Sequence, residues 1–259
     1  YVTSRMKKVD VNPIAIIYPV GKYIHGRNPE GNKTSFRGAT FEVVLKKEEI
    51  KKIELSLKKF LKKTLCISPS EKKNVINNIS DWIKIGGGSQ AQTPVCKKYR
   101  IIMISIDEER RLNKKALQRI FFHEAYHAFQ QDLTSDCRGP NDLWVIEAAT
   151  EYFAQHSLLN YNEYSTDYVS NILKIALTQY LRGGPQLNDP GVAEKGLGAI
   201  RLMIEKGWLD EKRILDGSFF YKCDRVKKFK NKDPKIKFLK DNWFKISKRM
   251  KYLNLNNIF

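Results

Sequence analysis

The chain has 259 residues, 42% of them hydrophobic, which is enough to bury a full core as one large domain or as two lobes. Lys and Arg number 47 against 28 Asp and Glu, for a formal net charge of +19 and a pI near 9.7. No apolar run reaches the roughly 18 residues that a membrane-crossing helix needs, which excludes a helical transmembrane anchor within this sequence.

The positive charge bears on partners and solubility rather than on fold. It predicts attraction to acidic proteins, anionic surface polymers, lipid head groups or nucleic acid, against the alternative of a uniformly Lys-, Ile- and Asn-rich composition. Nucleic acid is the weakest of these, because no helix-turn-helix, zinc-finger or RNP-type aromatic motif is present. The chain begins at Tyr1 with no recognisable signal peptide, as expected of a mature or trimmed product. Cys66, Cys96, Cys137 and Cys223 show no C-x-x-C spacing, which argues against a zinc knuckle. Their even number allows two disulfides in any of three pairings, and Cys66–Cys96 with Cys137–Cys223 would staple one lobe each. Paired cysteines favour a secreted or cell-surface protein, and buried free thiols in a cytoplasmic one are the alternative. Asn32-Lys33-Thr34 and Asn78-Ile79-Ser80 match the N-glycosylation pattern.

In chain order, residues 14–24 are β-rich, and Pro19 and Gly21 predict an edge or broken strand. Residues 25–32 form a turn by composition, and His25 within it reads as a solvent-exposed loop residue rather than a ligand. Residues 39–45 are expected to return antiparallel to the first strand. A long helix follows over 47–64, with Ile50, Ile53, Leu57, Phe60 and Leu61 on one stripe, then a shorter one over 71–83. Gly86-Gly87-Gly88-Ser89-Gln90 lacks the context of a phosphate-binding loop and is predicted to be flexible. Residues 99–107 (YRIIMISID) are the strongest strand in the chain.

Residues 117–131 read LQRIFFHEAYHAFQQ, and no Gly or Pro interrupts 114–138. Leu117, Ile120, Phe121, Ala125, Ala128 and Phe129 recur at three- and four-residue spacing, which predicts a helix with an apolar flank. His123 and His127 share a face of that helix, with Cβ atoms about 5–6 Å apart. Both imidazoles can therefore reach one Zn²⁺ at roughly 2.0–2.1 Å. Glu124 points beside such an ion, where it can take a proton from a bound water. A catalytic zinc needs a third protein ligand and an open fourth position. Residues 144–154 (WVIEAATEYFA) form the next helical pattern, with Glu147 and Glu151 on one face and Ala148, Ala149 and Ala154 allowing close helix approach. Glu147 is the expected third ligand, and Glu151 is placed to accept the free ring N–H of a ligating histidine.

His156 lies about half a turn off the ligand face and reads as structural. Helices are expected over 166–181, ending at Gly183-Gly184-Pro185, and from Asp189-Pro190 to about Gly207. Residues 222–251 carry 13 basic and 3 acidic side chains. Ile236, Leu239, Trp243, Ile246 and Met250 make an apolar stripe within that segment. The stripe is expected to pack on the body and leave the lysines solvated, the alternative being a basic amphipathic helix that docks on a membrane or an acidic partner.

His123, Glu124, His127, Glu147 and Glu151 together resemble the gluzincin zinc metallopeptidases, in which H-E-x-x-H is followed about twenty residues later by a glutamate-bearing helix. Trp144-x-x-Glu147-Ala148 is similar to the W-x-x-E-G-x-A signature of compact members, with Ala148 in place of the Gly. Residues 194–199 are similar to the K-G-A segment that follows the glutamate helix. The clear match covers residues 99–160. It implies an α+β, zincin-like two-lobed peptidase, with an N-terminal small mixed sheet and helices over 1–134 and a mainly helical C-terminal lobe over 135–259. It implies a peptide or protein substrate, Zn²⁺ on His123, His127 and Glu147, and Glu124 as general base. It also implies an oxyanion donor, for which Tyr180, and beside it Tyr168 and Tyr221, are the candidates. In that family the strand before the zinc helix is a sheet edge that pairs with substrate, which would fall on 99–107. The flexible Gly-rich loop, read from its composition, is expected near the cleft as a candidate substrate flap. Related aminopeptidases carry G-x-M-E-N there, whereas Met103 is followed by Ile104 and Ser105, so an endopeptidase is expected. The rival is a catalytically silent zinc-binding module acting as a surface scaffold through its basic face.

Overall fold

A computed structural model describes residues 5–6, 12–25, 40–91, 99–133, 143–162, 187, 193–220 and 234–250. Among the described residues the fold is mixed α/β, mostly helical with two small sheets. Two compact units are formed, Asp10–Glu124 and Ala125–Phe259 with Tyr1–Val9, and the division falls between Glu124 and Ala125. The division expected from sequence was at residue 134.

The first unit starts with β1 (Asn12–Pro19), β2 (Tyr23–His25) and β3 (Thr40–Phe41). Two helices follow, α1 (Lys47–Lys62) and α2 (Pro69–Lys84), and then β4 (Gln90–Ala91) and β5 (Tyr99–Ile106). A three-stranded mixed sheet has the order β1-β5-β4, with β1 parallel and β4 antiparallel to β5. A parallel neighbour requires a long crossover, and α1 and α2 supply it. β1 is an edge strand, as Pro19 predicts, and β2 pairs antiparallel with β3 as a separate ribbon.

The strand at 99–107 is not a sheet edge. β5 sits between two partners, pairing with β1 along its whole length and with β4 through Ile102 and Met103. Its composition explains this: residues 100–105 are buried on both faces, the signature of a central strand. β4 is the outer strand on that side.

The Gly-rich segment is not a flap either. Gly86, Gly87 and Gly88 are buried, and their carbonyls are tied down. Phe41 N–H donates to Gly86 O at 2.7 Å, the Tyr18 hydroxyl to Gly87 O at 2.7 Å, and Trp82 Nε1–H to Gly88 O at 2.8 Å. Glycine is needed because there is no room. Gly86 has φ +67°, and a Cβ there would lie 1.8 Å from Phe41 O, while one on Gly87 would lie 2.1 Å from the Trp82 ring. Around this clamp packs the unit's core of Tyr18, Phe41, Ile50, Leu57, Ile79, Trp82, Ile83, Ile101 and Met103.

α2 begins with a capping box, Ser68 accepting from Glu71 N–H and Glu71 accepting from Ser68 N–H, with Pro69 in its first turn. The Ser68 N–H and the Ser68 hydroxyl both donate to the Glu71 carboxylate, which lowers its pKa. Asn78-Ile79-Ser80 falls inside this helix with Ser80 buried, which is not the surface loop that a glycosylation acceptor occupies. Cys66 is disulfide-bonded. Cys96, Cys137, Cys223 and Asn32 lie outside the described residues.

After the short α3 (Glu108–Leu112) comes α4 (Lys114–Leu133), which contains the point where the two units divide. The described part of the second unit is helical: α5 (Leu143–Asn162), α6 (Ala193–Glu205), α7 (Glu211–Leu215), a 3-10 turn at Ser218–Phe220, and α8 (Pro234–Met250). α5 and α6 pack closely, with Ala148, Ala149, Ala154 and Ala199 fully buried. Leu239 and Trp243 of the tail stripe are buried at 0% and 1% exposure, while Lys235, Lys237 and Lys245 are exposed, so these two stripe residues pack inward. No helix is long and apolar enough to cross a membrane among the described residues. The helix expected over 166–181 lies outside them.

The clamp generates a contrast measurable by urea denaturation. Gly86→Ala combines a left-handed φ with a backbone clash and is expected to cost about 2–4 kcal/mol. Gly207→Ala has a similar φ of +65° but open space around the new methyl, so about 1 kcal/mol is expected. Equal losses at the two positions would contradict the steric account of Gly86.

Candidate metal centre

α4 meets two environments along its length. Ala125, Tyr126, Ala128 and Phe129 are buried, with Tyr126 stacked near Phe153 and Phe220. The Tyr126 hydroxyl donates to Ile214 O at 2.6 Å, and burial pushes its pKa well above that of an ordinary phenol. This apolar anchoring fixes the helix rotation, so that His123 and His127 are left half-buried on another face. Glu124 is 7% exposed.

His123, His127 and Glu147 form a group whose ligand atoms all lie within 4.8 Å of one another and can hold a metal ion. His127 Nε2 is 3.3 Å from Glu147 Oε2. Two ligands on a tetrahedral ion with bonds of about 2.0–2.1 Å would be about 3.3–3.4 Å apart, so this pair already has a metal-ligand separation. Two histidines and one glutamate also make up the donor set of catalytic zinc sites.

The other ring nitrogen explains why the pair needs a cation. Thr150 Oγ1 donates its one proton to Ile146 O at 2.8 Å. It can therefore only accept from His127 Nδ1, which lies 3.2 Å away. Gln130 Nε2 donates to the same Ile146 carbonyl at 3.3 Å, which turns Gln130 Oε1 toward His127 Nδ1 at 2.9 Å. Two acceptors on Nδ1 place the ring proton there. Nε2 then faces the Glu147 carboxylate with a lone pair, and only a positive species between them, a metal ion or a second proton, removes the repulsion.

Among the described residues, the sites named from sequence are placed as follows. His123, His127 and Glu147 come together, and Glu124 is adjacent on the same helix. Glu151 is buried on α5 and accepts from Gln155 Nε2 at 2.5 Å. His156 is not in the metal group. It is half-buried near Glu211, Arg5 and Arg201, and burial lowers its pKa. Tyr180, Tyr168 and Tyr221 lie outside the described residues, and so does the His25 side chain. Gln130 and Thr150 escape a reading by motif. The signal was the helical spacing, since each lies three residues beyond a metal-group residue, Gln130 after His127 and Thr150 after Glu147.

No protein-family model matches the chain, and neither a curated protein nor a solved structure matches it.

Zinc content after dialysis tests the donor set. The parent chain is expected to retain one zinc, and Glu147→Ala to lose it. Zinc at a hundredfold excess over its Kd should stabilise the parent by about 2.7 kcal/mol. The variant should show little of that gain; equal stabilisation of both would remove Glu147 from the ligand set.

Proposed function

We propose that this protein is a zinc metallopeptidase of the gluzincin type, hydrolysing peptide bonds as an endopeptidase. What carries the reading is the convergence of His123, His127 and Glu147, with the carboxylate of Glu124 one residue from the first ligand and largely shielded from solvent. A bare metal-binding scaffold has no use for that carboxylate, whereas peptide hydrolysis needs a general base beside the ion.

When bound, Zn²⁺ would supply Lewis acidity, polarising the scissile carbonyl and acidifying water at its open position. The chain does the rest. Glu124 takes the proton of the attacking water and delivers it to the leaving amine nitrogen, which converts the amide into a departing amine. His123, His127 and Glu147 hold the ion and leave room for substrate. Burial of Glu124 strengthens its interaction with any charge that develops nearby.

Endopeptidase activity rests on residues 103–105, Met-Ile-Ser, which lack the acid that grips a free amino terminus in related aminopeptidases. A zincin-like arrangement of two lobes accompanies this reading. Within the first unit, an extended substrate that added to the mixed sheet would do so on the β4 side, because β5 is already paired on both edges.

The decisive variant is Glu124→Gln, which keeps shape and removes the base. It is expected to retain zinc and to lose about a hundred- to ten-thousand-fold in hydrolysis of casein or an internally quenched peptide. Parent-level turnover in this variant would overturn the role of Glu124. A parent that binds zinc but cleaves neither substrate, with or without chelator, would favour the silent scaffold.

A further inference from the structure

The hydrogen bonds behind His127 go beyond what metal ligation by itself requires. Resting on the zinc reading above, we propose that Gln130 and Thr150 are a positioning pair that locks His127 as its Nδ1–H tautomer and so sets the affinity for the metal. The two residues come from different helices, Gln130 from α4 and Thr150 from α5. Both are buried, at 2% and 0% exposure, so water does not compete for their bonds. Each is oriented by the same acceptor, the carbonyl of Ile146, which receives Gln130 Nε2–H and the Thr150 hydroxyl.

That shared carbonyl makes the device directional. A flipped Gln130 amide would set its oxygen against Ile146 O and its NH₂ against the Nδ1 proton. A rotated Thr150 hydroxyl would meet that same proton. Both alternatives give up a bond to Ile146 O, so that carbonyl favours the arrangement that presents oxygens to Nδ1. The carbonyl also belongs to the residue just before Glu147. One small circuit therefore ties the ring plane of one ligand to the helix turn that carries another. A ligating imidazole whose second nitrogen donates to a fixed acceptor is a stronger and better oriented donor.

Two measurements test this. In zinc-loaded protein labelled with nitrogen-15 histidine, long-range proton–nitrogen spectra should place the His127 proton on Nδ1 and the metal on Nε2. The reverse assignment would overturn the proposal without any mutation. Competition for zinc against a chromophoric chelator should show Thr150→Val and Gln130→Met each weakening binding about 10- to 100-fold. Thr150→Ser, which keeps the hydroxyl, should stay close to the parent. A merely structural role would instead lower the melting temperature of the zinc-free variants and leave zinc affinity at the parent value, and that outcome sinks the positioning role. His127→Ala separates the two levels: loss of zinc there alone defeats only the positioning pair, while parent-like zinc binding there defeats the zinc site itself.

Discussion

A neutral imidazole has one proton to give, and His127 is surrounded by three acceptors: Gln130 Oε1 and Thr150 Oγ1 at one nitrogen and a Glu147 oxygen at the other. The shortage can be met only by added positive charge at Nε2. The surrounding structure holds that shortage in place. Tyr126 and Phe129 bury one side of the helix, Ile146 O fixes the two polar neighbours, and fully buried alanines let α5 pack tightly on α6. A polar cluster assembled at this cost without a cation would be destabilising, because buried like partners lose water and gain nothing. The donor set can hold a metal ion, and the proton count calls for positive charge at Nε2, whether a metal ion or a second proton.

The site was largely legible from sequence because its chemistry is local. His123, Glu124 and His127 fall on one helix, where periodicity converts spacing directly into a shared face. Glu147 required a second helix, and the run of Ala148, Ala149 and Ala154 around it signalled close packing. Helical spacing marks Gln130 and Thr150 as neighbours of the ligands, but not their role, which depends on the Ile146 carbonyl, on the opposite helix for Gln130 and one turn back on its own helix for Thr150. The helices at 47–62 and 69–84 were readable as well, expected over 47–64 and 71–83, although the second begins two residues earlier, at Pro69 behind the Ser68 cap.

The sheet was harder, and the errors share a cause. β5 has the residue pattern of a strand, but an edge and a centre differ in what lies alongside, and that is fixed by β1 and β4 far off in sequence. The Gly-rich segment misleads in the same way. Three successive glycines suggest freedom when read alone, yet a Cβ on Gly86 would run into the Phe41 backbone and one on Gly87 into the Trp82 indole. Composition reports what a backbone is able to do, whereas packing decides what it is allowed to do.

The parallel register of β1 on β5 has a consequence for biosynthesis. Asn12 aligns with Tyr99 and Pro19 with Ile106, so β1 meets this sheet partner only once the strand preceding the histidine helix has also emerged from the ribosome. α1 and α2 can form meanwhile from local contacts, but closing that long loop is the slow, entropically costly event. Throughout that wait the nascent strand displays Ile14, Ile16 and Ile17 on an unpaired backbone, making it the segment on which a chaperone would be expected to act first.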